Sequence, residues 1–185
     1  MALFKRIKFW LNTDRIGPDI LANYWMLFFP KSMLRLCKKK FKQFSDTAEF
    51  RPGAYAVGCS RITIGDRVVI RPGVMLFAVS DTLETAITIE DDVMMGCGIH
   101  IYTNNHKFDD PDIPLIDQGY YPDEAVVLKK GCWIGANAII LPGVTVGENS
   151  VVGAGAVVTR SVPDRSVAVG NPARVIKRIG EKNKQ

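Results

Sequence analysis

The sequence of 185 residues lacks most features that mark a membrane, secreted or metal-binding protein. It contains no run of about 18 apolar residues, which a membrane-spanning helix would need. Its N-terminus has no long apolar stretch followed by a small-residue cleavage site, so we predict no signal peptide and a cytoplasmic location. Cys37, Cys59, Cys97 and Cys132 are too widely spaced for a zinc or redox CxxC motif. We expect all four to be reduced core residues.

The formal net charge of +5 is carried by one end of the chain. Residues 1–44 hold ten Lys or Arg but only Asp14 and Asp19, so the remaining chain is net negative by three charges. The same segment contains interleaved aromatic residues, namely Phe4, Phe9, Trp10, Tyr24, Trp25, Phe28 and Phe29. This composition suits a helix at an anionic membrane surface. A helical cap whose aromatics pack on the main body, with solvated lysines outside, is the alternative, and nucleic acid is not an expected partner.

From residue 57 onward, aliphatic residues recur every six positions. The main register contains Ile64, Ile70, Leu76, Ile89, Met95, Ile101, Leu128, Ile134, Ile140, Val146, Val152 and Val158. A period of six fits neither a helix nor a simple alternating strand. It fits short strands ended by tight corners, three of which close a triangular coil that buries its aliphatic side chains. Glycines often follow the main position, namely Gly65, Gly96, Gly135, Gly147 and Gly153, and others mark turns, as in Arg71-Pro72-Gly73 and Leu141-Pro142-Gly143. We expect glycine to supply the positive-φ conformation at the corners.

The six-residue frame breaks twice, which predicts two loops. The first break, around residues 79–85, adds one residue to two complete hexads. The second, residues 107–124, is rich in Asp, Pro and Tyr and predicts an extruded functional loop with His106 at its entrance. We therefore divide the chain into an N-terminal helical segment (1–47), a repeat domain (48–162) and a C-terminal extension (163–185).

The block from Cys132 to Arg178 resembles the C-terminal signature of hexapeptide-repeat acyltransferases. Residues 102–106 (YTNNH) resemble the maltose and galactoside O-acetyltransferase branch, and residues 14–18 and 50–55 are similar to cell-surface polysaccharide O-acetyltransferases. The resemblance implies an all-β fold, a left-handed parallel β-helix preceded by a helical segment. It also implies a homotrimer with active sites between subunits, and acetyl-CoA as the acetyl donor.

Transfer of an acetyl group to a hydroxyl needs a base, and imidazole is suited to that role near neutral pH. His106 matches the catalytic histidine of the family, whereas His100 lies within a predicted strand and has a structural or interface role. The family's donor site maps onto Trp133, Ala136, Ala154, Thr159, Arg160, Arg174 and Lys177.

The acceptor side departs from the sugar acetyltransferase pattern. The family carries an Asn or Asp about one and a half coils before the histidine, but the frame places Leu76 there. Asp81 is the candidate substitute, and Asn105 is a second candidate acceptor-binding residue.

We therefore predict an acetyl-CoA-dependent O-acetyltransferase that acts on a sugar of a surface polysaccharide or its lipid-linked precursor. Two alternatives stay open: an N-acetyltransferase acting on a nucleotide amino-sugar, and a non-catalytic β-helix scaffold. A zinc enzyme on this fold would need three histidines, and the chain has two, so we expect no metal.

Overall fold

The computed structural model describes Phe9 and residues 12–181. Its N-terminal part contains strand β1 (Arg15–Ile16), helix α1 (Leu21–Tyr24), a 3₁₀ helix (Trp25–Phe28) and helix α2 (Pro30–Lys40). Pro30 occupies the first position of α2, where its missing N–H costs no hydrogen bond. Lysines in the last turn of α2 interact favourably with the negative end of the helix dipole.

The remaining strands are short and form three faces that alternate along the chain. The first face contains β1, β4 (Tyr55–Val57), β7 (Met75–Phe77), β10 (His100–Tyr102), β13 (Ile139–Ile140) and β16 (Val157–Val158). The second face contains β2 (Gln43–Phe44), β5 (Ile62–Ile64), β8 (Ile87–Ile89), β11 (Val126–Leu128) and β14 (Thr145–Val146). The third contains β9 (Met94–Met95), β12 (Trp133–Ile134), β15 (Val151–Val152), β17 (Ser166–Val169) and β18 (Arg174–Arg178). Strands β3 (Glu49–Phe50) and β6 (Val69–Ile70) pair separately.

Parallel pairing stacks each hexad directly on the hexad one coil earlier. Ile64 pairs with Ile89, Ile89 with Leu128, and Leu128 with Val146, and each of these side chains is buried. The antiparallel exceptions are β1 on β4 and β18 on β17, at the two chain ends of the prism. Three parallel faces around an aliphatic column are the architecture of the left-handed β-helix, so the predicted all-β fold with an N-terminal helical segment is confirmed.

The predicted positive φ is confirmed at the turn glycines Gly73 and Gly143, but the glycines that follow the main register have a different role. They lie outside the positive-φ region, which is occupied instead by other corner residues such as Gly98 and Asn137. A Cβ atom on Gly96 would lie 2.5 Å from the backbone nitrogen of Ala136, and one on Gly135 would lie 2.4 Å from that of Ala154. These glycines therefore allow consecutive coils to approach closely at the corner between the third and first faces.

The first break is larger than the frame predicted. Six residues separate Ile140 from Val146 across the corner between the first and second faces, whereas thirteen separate Leu76 from Ile89 at the same corner. The insertion is therefore a complete hexad plus one residue. None of the inserted residues forms a strand of the prism. The second break, residues 107–124, leaves from this same corner one coil later and contains only a short 3₁₀ helix (Leu115–Asp117).

The expectation for the cysteines is confirmed at three positions and wrong at one. Cys37, Cys59 and Cys132 are free and buried, and burial raises the pKa of the Cys59 and Cys132 thiols to about 12. Cys97 is exposed, because it follows Gly96 at a corner where the chain turns outward.

We predict that Gly96→Ala lowers the free energy of unfolding by about 1–3 kcal/mol, because the added methyl group must displace the backbone of the next coil. Urea denaturation measures this change. The matched control is Cys97→Ala at the adjacent exposed position, which should change stability by less than about 0.5 kcal/mol. Equal stability of the two variants would show that the coils do not depend on close approach at this corner.

Candidate functional site

The extruded loop is anchored where it leaves the first face. Thr103 is buried, and its hydroxyl donates to the carbonyl oxygens of Phe77 (3.1 Å) and Val79 (3.0 Å) in the coil below. The backbone N–H of Glu124 donates to the carbonyl of Thr103 at 2.8 Å, which closes the base of the loop. Entry and exit of the loop therefore lie side by side on the prism.

His106 lies in a short antiparallel stem just above this base. The N–H of Tyr121 donates to the carbonyl of Asn105 (2.9 Å), and the N–H of Lys107 donates to that of Gly119 (3.0 Å), so His106 faces Tyr120. The two rings pack with centroids 4.1 Å apart and planes tilted by 34°. Within residues 12–181 no group hydrogen-bonds the imidazole, which is exposed to solvent.

Asp123 joins the loop to the first insertion. One of its carboxylate oxygens accepts hydrogen bonds from the Ser80 hydroxyl (2.9 Å), the Thr82 hydroxyl (3.1 Å) and the backbone N–H of Asp81 (3.2 Å). The other oxygen accepts from the Asn104 side-chain amide at 3.3 Å. Burial by itself would raise the pKa of Asp123, but these hydrogen bonds outweigh it and hold the pKa below its usual range.

The two insertions enclose an open groove of about 450 Å³ next to the stem that carries His106; Tyr120, which packs on the imidazole, lines this groove, whereas His106 itself does not. Its lining is polar and aromatic and comprises residues 79–82, Asn104, Lys107 and residues 120–123. Asp81, the predicted acceptor-side carboxylate, lines this groove. Asn105 is exposed beside it but is not part of the lining, and Leu76 is fully buried in the aliphatic column.

Several predicted donor-site residues share the third face. Trp133 pairs with Val151, Val151 with Val167, and Val167 with Lys177, so one row of side chains runs from Trp133 to Lys177. Three strand spacings separate the ends of this row by about 14 Å. Arg174 lies on the same final strand, and both cations are exposed.

Trp133 is 48% exposed and borders a groove of about 340 Å³ that also contains Arg67, Arg71 and Met94. Ala136 and Ala154 stack one coil apart at the corner where the third face meets the first, and the N–H of Gly155 donates to the carbonyl of Ala136 at 2.8 Å. The exposed Cys97 occupies the equivalent position one coil earlier.

The other predicted residues lie at a different corner. Thr159 and Arg160 are exposed and follow β16, where the first face turns toward the second. The loop with His106 leaves from that same corner two coils earlier. Within one chain, His106 is therefore separated from Ala136 by the full width of the first face, roughly 15 Å.

His100 is held on the first face. Its Nδ1 lies 3.1 Å from the Tyr102 hydroxyl, and the strand position pairs with Met75 and Ile139. Among the described residues no group of three His, Cys, Asp or Glu side chains could hold a metal ion, and no helix is both long and apolar enough to cross a bilayer.

Comparison with known proteins identifies the family. Residues 125–160 match the model of the bacterial transferase hexapeptide (six repeats). The chain is 32% identical over 153 residues to a galactoside O-acetyltransferase of Lactococcus lactis, which covers 82% of this chain and 70% of that protein. The chain belongs to the hexapeptide-repeat acetyltransferases.

Solved structures agree with this assignment. A galactoside acetyltransferase in complex with coenzyme A superposes with a TM-score of 0.70 at 27% identity, covering 89% of this chain and 82% of the other. A hexapeptide-repeat acetyltransferase from Vibrio cholerae in complex with acetyl coenzyme A superposes with a TM-score of 0.69 at 25% identity, covering 89% and 91%. The enzyme assignment and the predicted relationship to galactoside O-acetyltransferases are thereby confirmed.

Asp123 is the residue of this acetyltransferase that the sequence pattern did not reveal. It lies at the end of an irregular stretch in which several aspartates occur, and nothing in the hexad frame distinguishes it. The available signal was that both breaks follow strands of the same face in consecutive coils, which brings the two insertions together.

We predict that Asp123→Asn loosens both insertions, because one acceptor oxygen is lost and the NH₂ group that replaces it cannot accept the hydrogen bonds either from residues 80–82 or from the Asn104 amide. Amide hydrogen exchange should become faster in residues 79–85 and 119–124 and stay unchanged in the core strands. Asp117→Asn, in the same loop, removes the same charge and is the control.

The pKa of Asp123 is lower in the folded chain than in the unfolded chain. The stabilisation that it provides is therefore complete above the unfolded pKa of about 3.9 and is lost as the pH falls through the lower folded pKa. In the parent enzyme, the hydrogen-exchange protection factors of these two segments should therefore fall below about pH 4. Protection factors that stayed constant there would contradict the role of the carboxylate.

Proposed function

We propose that this acetyltransferase transfers the acetyl group of acetyl-CoA to a hydroxyl of a carbohydrate, with His106 as the general base. The observation that carries the proposal is the exposed His106 imidazole, packed on the Tyr120 ring that lines a polar groove, on a fold whose third face presents Trp133, Arg174 and Lys177 of the predicted donor site. Neither feature is needed for a β-helix that acts only as a scaffold.

The chemistry requires one proton to be moved twice. The neutral imidazole accepts the proton of the attacking hydroxyl while its oxygen bonds to the thioester carbonyl carbon. The tetrahedral intermediate then collapses, the carbon–sulfur bond breaks, and the imidazolium returns the proton to the departing thiolate of coenzyme A. Packing against Tyr120 limits the orientations that the imidazole adopts during both transfers.

Acetyl-CoA is the donor, and the third face offers the groups that suit it. Arg174 and Lys177 supply exposed cations for the phosphates, whose charge-assisted hydrogen bonds are the strong ones. Ala136 and Ala154 offer backbone groups to the pantetheine arm, and Trp133 offers an apolar surface beside it. Thr159 and Arg160 would complete the donor site from the other corner.

We infer that the complete site forms between two chains of a homotrimer. His106, Thr159 and Arg160 lie at one corner of the prism, and the remaining donor residues lie at another corner and on the third face. A face about 15 Å wide separates the two sets within a chain. A second copy, placed against the first by cyclic symmetry, brings one set against the other.

The acceptor proposed is a sugar hydroxyl of a surface polysaccharide or its lipid-linked precursor. The groove beside His106 is open at its side and carries both hydrogen-bonding groups and aromatic rings, which suits a sugar within a longer chain. A lipid-linked acceptor also agrees with the basic, aromatic N-terminal segment. Residues 1–8 and 10–11 of that predicted membrane contact lie outside the described residues.

We predict that His106→Ala lowers kcat for acetyl transfer by about 10²–10⁴-fold while leaving the Kd for acetyl-CoA within about twofold. Turnover is followed by release of free thiol, and donor binding by calorimetric titration with acetate as a control ligand. His100→Ala is the matched histidine control and should keep at least half of the activity. Full turnover of His106→Ala would remove this residue from the mechanism.

The acceptor class is tested with the same assay. Hydroxyl acceptors should be acetylated and amino-sugar nucleotides should not, and the reverse preference would establish the N-acetyltransferase alternative. Absence of saturable acetyl-CoA binding at millimolar concentration would contradict the transferase function itself.

The location of the site between chains gives a separate prediction. His106→Ala and the triple variant Trp133→Ala/Arg174→Ala/Lys177→Ala should each be inactive alone, but co-assembled trimers should regain about a quarter of the parent activity. In those trimers some interfaces combine an intact His106 with an intact donor face. Light scattering verifies the trimer, and failure of verified mixed trimers to recover activity would place the whole site within one chain.

A further inference from the structure

A group of large apolar side chains is exposed on the N-terminal helices. Leu21, Trp25, Phe28 and Phe29, here called the aromatic patch, are 76%, 55%, 60% and 57% exposed. Leu21, Trp25 and Phe28 follow at intervals of four and three residues, so they lie along one side of consecutive helical turns. Clustered exposed apolar side chains of this size mark interaction surfaces.

A row of cations continues directly from this patch. Lys31, Arg35, Lys38 and Lys39, here called the basic stripe, are exposed at helical spacing along α2. Residues 20–45 contain no Asp or Glu. Lys38 pairs with Asp46, but Lys31, Arg35 and Lys39 have no ion-pair partner within residues 12–181. The positive charge of the stripe is thus largely uncompensated.

The basic stripe faces away from the prism, and the aromatic patch directly precedes it in the chain. The opposite side of α2 is buried through Met33, Leu36 and Cys37, so the stripe lies on the outer side of the helix. Phe28 and Phe29 come immediately before Pro30, at the N-terminal end of the stripe. Membrane-surface helices combine aromatic side chains, which enter the headgroup boundary, with cations that bind anionic headgroups.

We propose that the aromatic patch and the basic stripe bind the surface of an anionic lipid bilayer. A lipid surface satisfies both halves of this surface at once, because it offers an apolar layer beneath a layer of negative charge. Helix α2 packs beside β2 and β3 of the first coil, so the contact lies at the N-terminal end of the prism, away from the cations of β18.

Cyclic assembly would strengthen this contact. In the proposed homotrimer, rotation about the symmetry axis keeps the three copies of the surface at the same height. All three can then engage one bilayer, and weak individual contacts add through the high effective concentration of the second and third. This step rests on the proposed trimer, whereas the lipid-binding surface itself does not depend on the acetyl transfer.

Vesicle co-sedimentation with the full-length protein tests the proposal. The protein should bind vesicles of phosphatidylcholine with about one-third phosphatidylglycerol, and should bind pure phosphatidylcholine at least tenfold more weakly. Raising the salt from about 0.1 M to about 1 M should weaken the binding to the anionic vesicles.

Two sets of variants separate the patch from the stripe. Trp25→Ser/Phe28→Ser/Phe29→Ser and Lys31→Glu/Arg35→Glu/Lys39→Glu should each lower the vesicle affinity at least tenfold. The matched controls are Phe108→Ser/Ile116→Ser, which removes exposed apolar side chains elsewhere, and Arg61→Glu/Lys130→Glu/Arg165→Glu, which makes the same change in net charge. Both controls should bind vesicles as the parent does. Circular dichroism verifies that each variant is folded.

Three outcomes would overturn the proposal: equal binding to neutral and anionic vesicles, unchanged binding of both patch and stripe variants, or equal loss in the controls. Conversion of the trimer to monomers by the serine variant would instead identify the aromatic patch as a subunit contact, which also overturns it. Acetylation of a soluble acceptor by these variants reports separately on the proposed enzymatic function.

Discussion

The structure depends on the stacking of one hexad directly above another, about 4.8 Å away, by parallel hydrogen bonding on three faces. This spacing requires aliphatic side chains inside the prism. It also leaves no room for a Cβ atom at the corner positions where the backbones of consecutive coils come into contact. Gly96 and Gly135 meet that requirement, since a single added carbon would overlap the backbone of the following coil. The strands cannot take extra residues without losing register, so insertions are confined to corners.

That confinement explains where the candidate site lies. Both long insertions leave the same corner in consecutive coils, and Asp123 joins them through hydrogen bonds from Ser80, Thr82 and Asn104. The resulting wall of polar groups stands beside His106. Trp133, Arg174 and Lys177 lie on a face that no insertion interrupts, where strand pairing aligns a row of side chains from Trp133 to Lys177.

The hexad frame predicted much of this arrangement. It failed at positions whose environment is determined by contacts between coils. It located the buried column and the extruded loop, because both follow from the period of the aliphatic residues. It did not separate the glycines after the main position, which allow close contact between coils, from the turn glycines, which take positive φ; it placed Cys97 in the core; and it did not show that one of the two hexads before Ile89 forms no strand of the prism. Each error concerns a corner, and the frame does not show which coil a given residue meets there.

The sequence by itself determined the repeat, the fold class, the family resemblance and the histidine suited to act as a base, because these depend on residue type and on spacing along the chain. Only the tertiary structure decided that Asp123 connects the two insertions through hydrogen bonds to residues more than forty positions earlier, and that His106 and Ala136 lie at different corners of the prism. The physical reason is that neighbours across stacked coils are set by the number of residues in each turn and insertion, which brings together residues that the linear pattern keeps far apart.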